Sequence, residues 1–441
     1  MEKITSPPAC IRGMKELDKD KFLKKIQVPL LSIDVNLVHS VINTVKRYLL
    51  KMDKIKQVYD DPDSGRKLIY LDPNLVKDFE SFDDKHRELL RNYGLTPDNL
   101  VYREITIGYD NWSTHEVINC IIPENTAFSG FTQTGKIIHV NLKPELLPYK
   151  HVIGKVLLEK VKNCESVVNK IQSIDNVYRT FNLEVLAGSD DLCTVVNENG
   201  CKFELDFKTV YWNSRLHEEH HEIVSKLNKG DVLYDVFCGI GPFAIPAAKK
   251  GCIVLANDAN PESCKYLQRN KYINKVKLGL EIFNKDGADF IKQHVKQDML
   301  RRSQNFNPAK PYSIHITMNL PAIAYTFLTN FIGLFTRNEL SSYPDQLLPV
   351  VHLYCFVPKN ADAKDAAKSL VEATLKYRIE NENVFPVRNV SPKKEMMRIS
   401  FVLTKEILSS DKRASIGSDD QISEKKLRLD NELSSEMDVH Y

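Results

Sequence analysis

At 441 residues the chain is too long for one ordinary domain, and two or three are expected; 42% hydrophobic residues supply sizeable cores. Its 61 basic and 58 acidic side chains leave a net charge of +3, so whole-chain charge neither demands nor excludes a polyanionic partner. Nine cysteines without a C-x-x-C pair read as reduced thiols in an intracellular compartment, no apolar run reaches the ~18 residues of a membrane span, and Met1–Gly13 lacks the apolar stretch of a secretory signal.

Taken in chain order, residues 1–95 read as a small mixed domain. The opening stretch holds Lys3 and Arg12 and is short of acids, a composition compatible with a mitochondrial presequence. Val28–Ile33 is a predicted strand, Val38–Leu50 an amphipathic helix, and Asn92–Asn99, with Gly94 and Pro97, a linker. Residues 100–215 form a second α+β unit. Tyr102–Ile107 is its first strand, Ser113 caps a helix over Thr114–Ile121 with Glu116 at the box position, and Phe131–Leu142 alternates as a strand. Short strands follow at Glu184–Ala187 and Phe203–Phe207, with a hairpin signal at Asn199-Gly200. Residues 216–405 alternate strand and helix, the pattern of a doubly wound parallel sheet, and 406–441, rich in Ser, Asp, Glu and Lys, read as a disordered tail. The lysine-rich stretches 15–25, 46–56 and 143–170 read by themselves as solvated faces.

The most informative run is Asp235-Val-Phe-Cys-Gly-Ile-Gly-Pro-Phe, after the strand Val232–Tyr234 and before a helix opened by Pro242. A glycine pair at a strand-to-helix turn lets backbone N–H groups approach a ligand. A second strand, Ile253–Asn257, ends in Asp258, a carboxylate suited to ribose hydroxyls. Gly239, Gly241 and Ala244 fit the dinucleotide spacing G-x-G-x-x-A. An S-adenosylmethionine reading uses more residues: Asp235, Phe237, both glycines, Asp258, then Asp286-Gly287 after a third strand and Asn319-Leu320-Pro321-Ala322 after a fourth. Ordinary strand-end turns explain each of these singly but not all four at one sheet edge.

Two other motifs carry less. His217-Glu-Glu-His-His matches H-E-x-x-H, but residues 223–257 offer neither His nor Glu as a third zinc ligand; a polar helix start, lining the cofactor cleft, fits better. Asn319-Leu-Pro-Ala stands where amino-group methyltransferases carry Asn/Asp-Pro-Pro and an aromatic that stacks the base; Ala322 replaces that aromatic.

With Tyr178-Arg179-Thr180-Phe181, Glu184–Gly188, Tyr211–Leu216, Glu219-His220, Asp235–Pro246, Asn257–Ser263 and Asn319–Ala322, the chain resembles the archaeal and eukaryotic tRNA (guanine-37-N1)-methyltransferases over about residues 20–405. The resemblance implies a Rossmann-like class I methyltransferase domain behind two smaller N-terminal α+β domains, the first sensing the tRNA body and the second completing the active site. It implies methyl transfer from S-adenosylmethionine to N1 of guanosine-37, supporting reading-frame maintenance. It makes Glu219 the general base, partly desolvated with its pKa drawn toward neutrality, and Arg179 the group that fixes guanine or its O6. Asn319 and Pro321 position base and cofactor. His220, Asp258, Ala259, Asp286, Gly287 and Asn319 bind the cofactor beside Asp235, Gly239 and Gly241. No metal is required. The resemblance also implies a monomer without membrane attachment, acting in cytoplasm, nucleus and mitochondrial matrix. The wybutosine-pathway aminocarboxypropyl transferase of the same fold, and a non-catalytic tRNA-binding protein, are the alternatives.

Overall fold

A computed structural model describes residues 3–171, 182–359, 362–380 and 382–409. The chain divides into two compact units, Met1–Lys170 with Leu183–Asp191 and Ile171–Asn182 with Leu192–Tyr441.

In the first unit, Lys24–Ile33 lies between Lys67–Tyr70 and Leu100–Ile107 in a four-stranded sheet. Leu100–Ile107 pairs antiparallel with it from Lys24↔Ile107 to Leu31↔Leu100. The strand expected to open a second domain thus belongs to the first sheet. Asn92–Asn99 is no linker either: Leu95 is buried beside Phe79, Phe82 and Leu90, and Pro97–Asn99 forms a 3-10 turn. Val38–Val45 is helical as expected but tightens to a 3-10 turn at Lys46–Tyr48. The helix Thr114–Ile121 has its expected capping box: the Ser113 hydroxyl accepts from the Glu116 N–H and Glu116 reaches back to the Ser113 N–H. Phe131–Leu142 is a hairpin rather than one strand, Thr132–Thr134 turning at Gly135 (φ 57°) into Ile137–Val140. The helix Lys150–Lys160 then crosses to Ser166–Ile171, parallel to Ile137–Val140.

The second unit opens with the hairpin Cys193–Glu198 and Cys201–Asp206, turning at Asn199 and Gly200, both at positive φ as a two-residue loop requires. Its main sheet has seven strands: β1 Val232–Asp235, β2 Ile253–Asn257, β3 Leu280–Phe283, β4 Ile314–Met318, β5 Val350–Pro358, β6 Asn383–Ser391 and β7 Lys394–Val402. Their order is β3-β2-β1-β4-β5-β7-β6. The first five run parallel, and β7 is antiparallel to both β5 and β6. β1 and β4 are buried at every position, as central parallel strands covered on both faces must be. The order reverses at β1/β4, the switch point where such sheets open a crevice at the carboxyl ends. Pro242 stands two residues before the helix it was expected to open, Ala244–Lys250. The segment read as a disordered tail begins in ordered structure: Lys405–Ser409 is a short helix whose Ile407 and Leu408 join the sheet's core. The rest of that tail, 410–441, lies outside the described residues.

Candidate active site

The carboxyl ends of β1 to β4 are stitched together by backbone and amide groups. Asn257, fully buried, donates to the Val236 and Lys285 carbonyls (both 3.1 Å) and accepts from the Lys285 N–H (3.0 Å). Three strand ends are fixed by one side chain. Asp258 accepts from the Gly239 N–H (2.8 Å) on one oxygen and the Asn260 N–H (2.9 Å) on the other. Burial raises its pKa and those two donors oppose the shift.

The two glycines differ. A Cβ added at Gly239 (φ 53°) would meet nothing within 4 Å, so its backbone faces open space. At Gly241 (φ 97°) the Cβ would come 2.4 Å from Leu267 Cδ1 and 3.0 Å from Ile245 Cγ1. Gly241 is therefore required by the close packing of helices Ala244–Lys250 and Pro261–Ile273.

Asp235, fully buried at the end of β1, accepts from the Thr317 hydroxyl on β4 (2.9 Å), and its second oxygen has no hydrogen-bond partner among the described residues. Burial pushes its pKa up to about 7. A carboxyl so placed ties the end of β1 to β4.

Beyond β3, Asp286 is exposed and caps the turn that follows by accepting from the Ala288 N–H (2.8 Å). Gly287 is buried, and a Cβ there would sit 2.9 Å from Phe237 Cε1 and 3.0 Å from Phe327 Cε1. Those rings meet edge-on with centroids 5.0 Å apart. Ala259 is exposed, and its carbonyl accepts from Asn284 (3.0 Å). After β4, Asn319 to Ala322 form a turn: Leu320 O accepts from the Ile323 and Ala324 N–H groups, and Pro321 O accepts from the Phe356 N–H of β5. Open backbone at Gly239, half-buried Asp258 and exposed Asp286 put polar groups at the carboxyl edge of the sheet beside the Phe237–Phe327 rings, a chemistry that fits S-adenosylmethionine.

Glu219 and His220 lie on the helix His217–Lys226, and both are buried. Glu219 Oε1 accepts from the Tyr354 hydroxyl (2.6 Å) and from Arg398 Nη1, and Arg398 is itself 2% exposed. Burial and the Glu219 charge push the Tyr354 phenol well up, so it stays a donor. His220 Nδ1 lies 2.6 Å from Glu198 Oε1, its ring edge-on to Phe243. The carboxylate expected to be merely desolvated is therefore ion-paired, and the histidine assigned to the cofactor is held by a glutamate. Sequence reasoning missed Tyr354, Arg398 and Glu198. The one signal was a charge in an apolar strand: Arg398 stands between Met397 and Ile399 in β7. Arg179 lies outside the described residues. Among those residues, no group of three or more His, Cys, Asp or Glu side chains is placed to hold a metal ion.

The chain is 43% identical over 413 residues, 92% of its length and 92% of the relative's, to the tRNA (guanine(37)-N(1))-methyltransferase of Drosophila pseudoobscura pseudoobscura. The chain belongs to that family. The methyltransferase of Mus musculus is 40% identical over 440 residues, 99% of this chain and 87% of the mouse protein. A family profile described as "TRM5/TYW2 methyltransferase domain" matches residues 194–380 of this methyltransferase, and one described as "TYW2 N-terminal domain" matches 115–191. Among solved structures, Trm5b from Pyrococcus abyssi superposes with a TM-score of 0.59 at 23% identity, covering 85% of this chain and 98% of that one. The aTrm5 chain solved in complex with tRNALeu gives 0.57 at 18%, over 86% and 100%. At those identities the two structures speak to the fold, a Rossmann-like methyltransferase fold.

Proposed function

We propose that this enzyme transfers the methyl group of S-adenosylmethionine to N1 of guanosine-37 in tRNA. The observation that carries the reading is the identity of 43% across 92% of both chains with a relative named for that reaction. When bound, S-adenosylmethionine supplies a methyl group on a positively charged sulfur. Asp258 would hold the ribose hydroxyls with the lone pairs its two backbone donors leave, and Asp286 would extend the same polar edge. N1 of neutral guanine bears a proton, so transfer needs a base, and Glu219 takes that proton. Arg179 and Asn319 hold the guanine, which leaves the anticodon-loop stack to reach them. Residues 1–95 sense the tRNA body, the chain acts as a monomer, and cytoplasm, nucleus and mitochondrial matrix are the compartments this reading implies.

The profile matched by 115–191 favours a second reading, aminocarboxypropyl transfer from the same cofactor. Purified protein is incubated with S-adenosylmethionine and tRNA transcripts bearing G37 or A37, and the product nucleosides are weighed by mass spectrometry. N1-methylguanosine from the G37 transcript alone supports methyl transfer; an aminocarboxypropyl mass establishes the second reading instead. Glu219→Gln is expected to lower kcat by ~100-fold or more, the scale of a lost general base, while cofactor affinity holds. Equal loss of both would remove Glu219 from that role.

A further inference from the structure

The geometry points to Arg398 and Tyr354 as positioning residues that aim Glu219 at the acceptor base, a role that rests on Glu219 being the proton acceptor. The three side chains come from three elements: the helix His217–Lys226, β5 and β7. Both donors converge on one oxygen. The Tyr354 hydroxyl lies 2.6 Å from Glu219 Oε1, and Arg398 Nη1 bonds the same atom. Among the described residues no hydrogen bond ends on Oε2.

A guanidinium and a carboxylate that meet only to hold a fold favour the two-pronged arrangement, each nitrogen on its own oxygen. Here Arg398 forgoes it. Its Nη2 lies 3.7 Å from Glu222 Oε1, one turn along the helix, and its buried Nε meets no hydrogen-bond partner among the described residues. Leaving donors unsatisfied in a buried site is costly. What the arrangement gains is a carboxylate fixed in rotation by two donors on Oε1, with Oε2 free to accept a proton. Glu222 supplies Arg398 with a second negative charge, so the guanidinium keeps a counter-ion when Glu219 becomes neutral. Phe243, its ring centroid 6.2 Å from that of Tyr354 and 4.8 Å from that of His220, backs the helix from the glycine turn.

Tyr354→Phe removes one hydroxyl and keeps the ring. It is expected to lower kcat for N1-methylguanosine formation by ~10-fold, the size of one hydrogen bond to a charged group, with KM for S-adenosylmethionine and for tRNA unchanged. Arg398→Lys keeps a cation and should recover part of the kcat lost in Arg398→Met. In the Glu219→Gln background, Tyr354→Phe should cost nothing further in kcat, because the carboxylate it aims is gone. A merely structural hydroxyl would lower kcat equally in both backgrounds. Wild-type kcat in Tyr354→Phe, or the same loss with and without Glu219, overturns the assignment to Tyr354 and Arg398 while Glu219 stands. Wild-type kcat in Glu219→Gln removes the base itself and this inference with it.

Discussion

His315 on β4 and His352 on β5 meet edge to edge with parallel rings, centroids 5.3 Å apart and planes 5° from parallel, and His315 Nδ1 lies 3.0 Å from His352 Nε2. The chain of contacts ends on β7, where His352 Nδ1 meets the Ser400 hydroxyl at 2.8 Å. Burial lowers the pKa of both rings; for His352 the charges of His315, Arg398 and Lys226 push the same way, while Asp231 pulls His315 back in part.

Both imidazoles therefore stay neutral in the fold, whereas in the unfolded chain each takes a proton below its ordinary 6.5. Their contribution to stability is present above that value and is lost as pH falls below it. Chemical denaturation at about pH 7.5 and about pH 5.5 should show the loss, and His352→Gln should flatten it. An unchanged pH slope in His352→Gln would count against this origin.

Asp235 carries the opposite sign. Its folded pKa is raised from 3.8 to about 7, so its contribution is full below 3.8 and is lost as pH rises through 7. Asp235→Asn keeps a group for the Thr317 hydroxyl and removes the titration. The variant should gain stability on the wild type as pH rises from about 4 to about 7, by an amount on the order of a few kcal/mol at most. Denaturation midpoints across that range test it, and parallel pH curves would refute it.

Gly239→Ala and Gly241→Ala should fail differently. At Gly239 the cost is the left-handed backbone alone, ~1 kcal/mol, with a methyl in open space on the ligand side. At Gly241 the methyl must also displace Leu267, adding ~1–3 kcal/mol of overpacking. Melting temperatures should fall further for Gly241→Ala. Equilibrium binding of S-adenosylmethionine, measured well below either melting point, should weaken more for Gly239→Ala.

Gly287→Ala forces apart Phe237 and Phe327, which already touch the missing Cβ at 2.9 and 3.0 Å. Cofactor affinity should drop ~10-fold or more, since side chains that give way there move into the cleft. Calorimetric titration with S-adenosylhomocysteine would read this directly; wild-type affinity would place the cofactor elsewhere.

The second unit was largely legible in the sequence because a parallel sheet writes itself plainly. Ile253–Asn257 and Ile314–Met318 are short β-branched-rich segments closed by polar turns, and both strands begin and end where expected. The first unit was harder. Leu95 looks like one residue of a Gly- and Pro-containing linker, and only tertiary packing reveals it as core. Likewise Gly135 alone, one residue at positive φ, splits an alternating run into two strands. At the site, types were legible and partners were not. Glu219 stands out by its motif, but its neighbours come from strands 135 and 179 residues downstream, joined by β-pairing that no local signal encodes.

That separation bears on how the enzyme is made. β7 enters the sheet between β5 and β6, and the core is closed by Ile407 and Leu408. During synthesis, β1 to β4 and the glycine turn emerge long before Arg398. Until then Glu219 has no guanidinium to face, and the β5 edge is unpaired. A nascent chain interrupted before β7 has an incomplete sheet, an exposed β5 edge and Glu219 without Arg398, features that invite aggregation and proteolysis. Among the described residues β7 is the last strand translated, so the contact between Glu219 and Arg398 is completed only there.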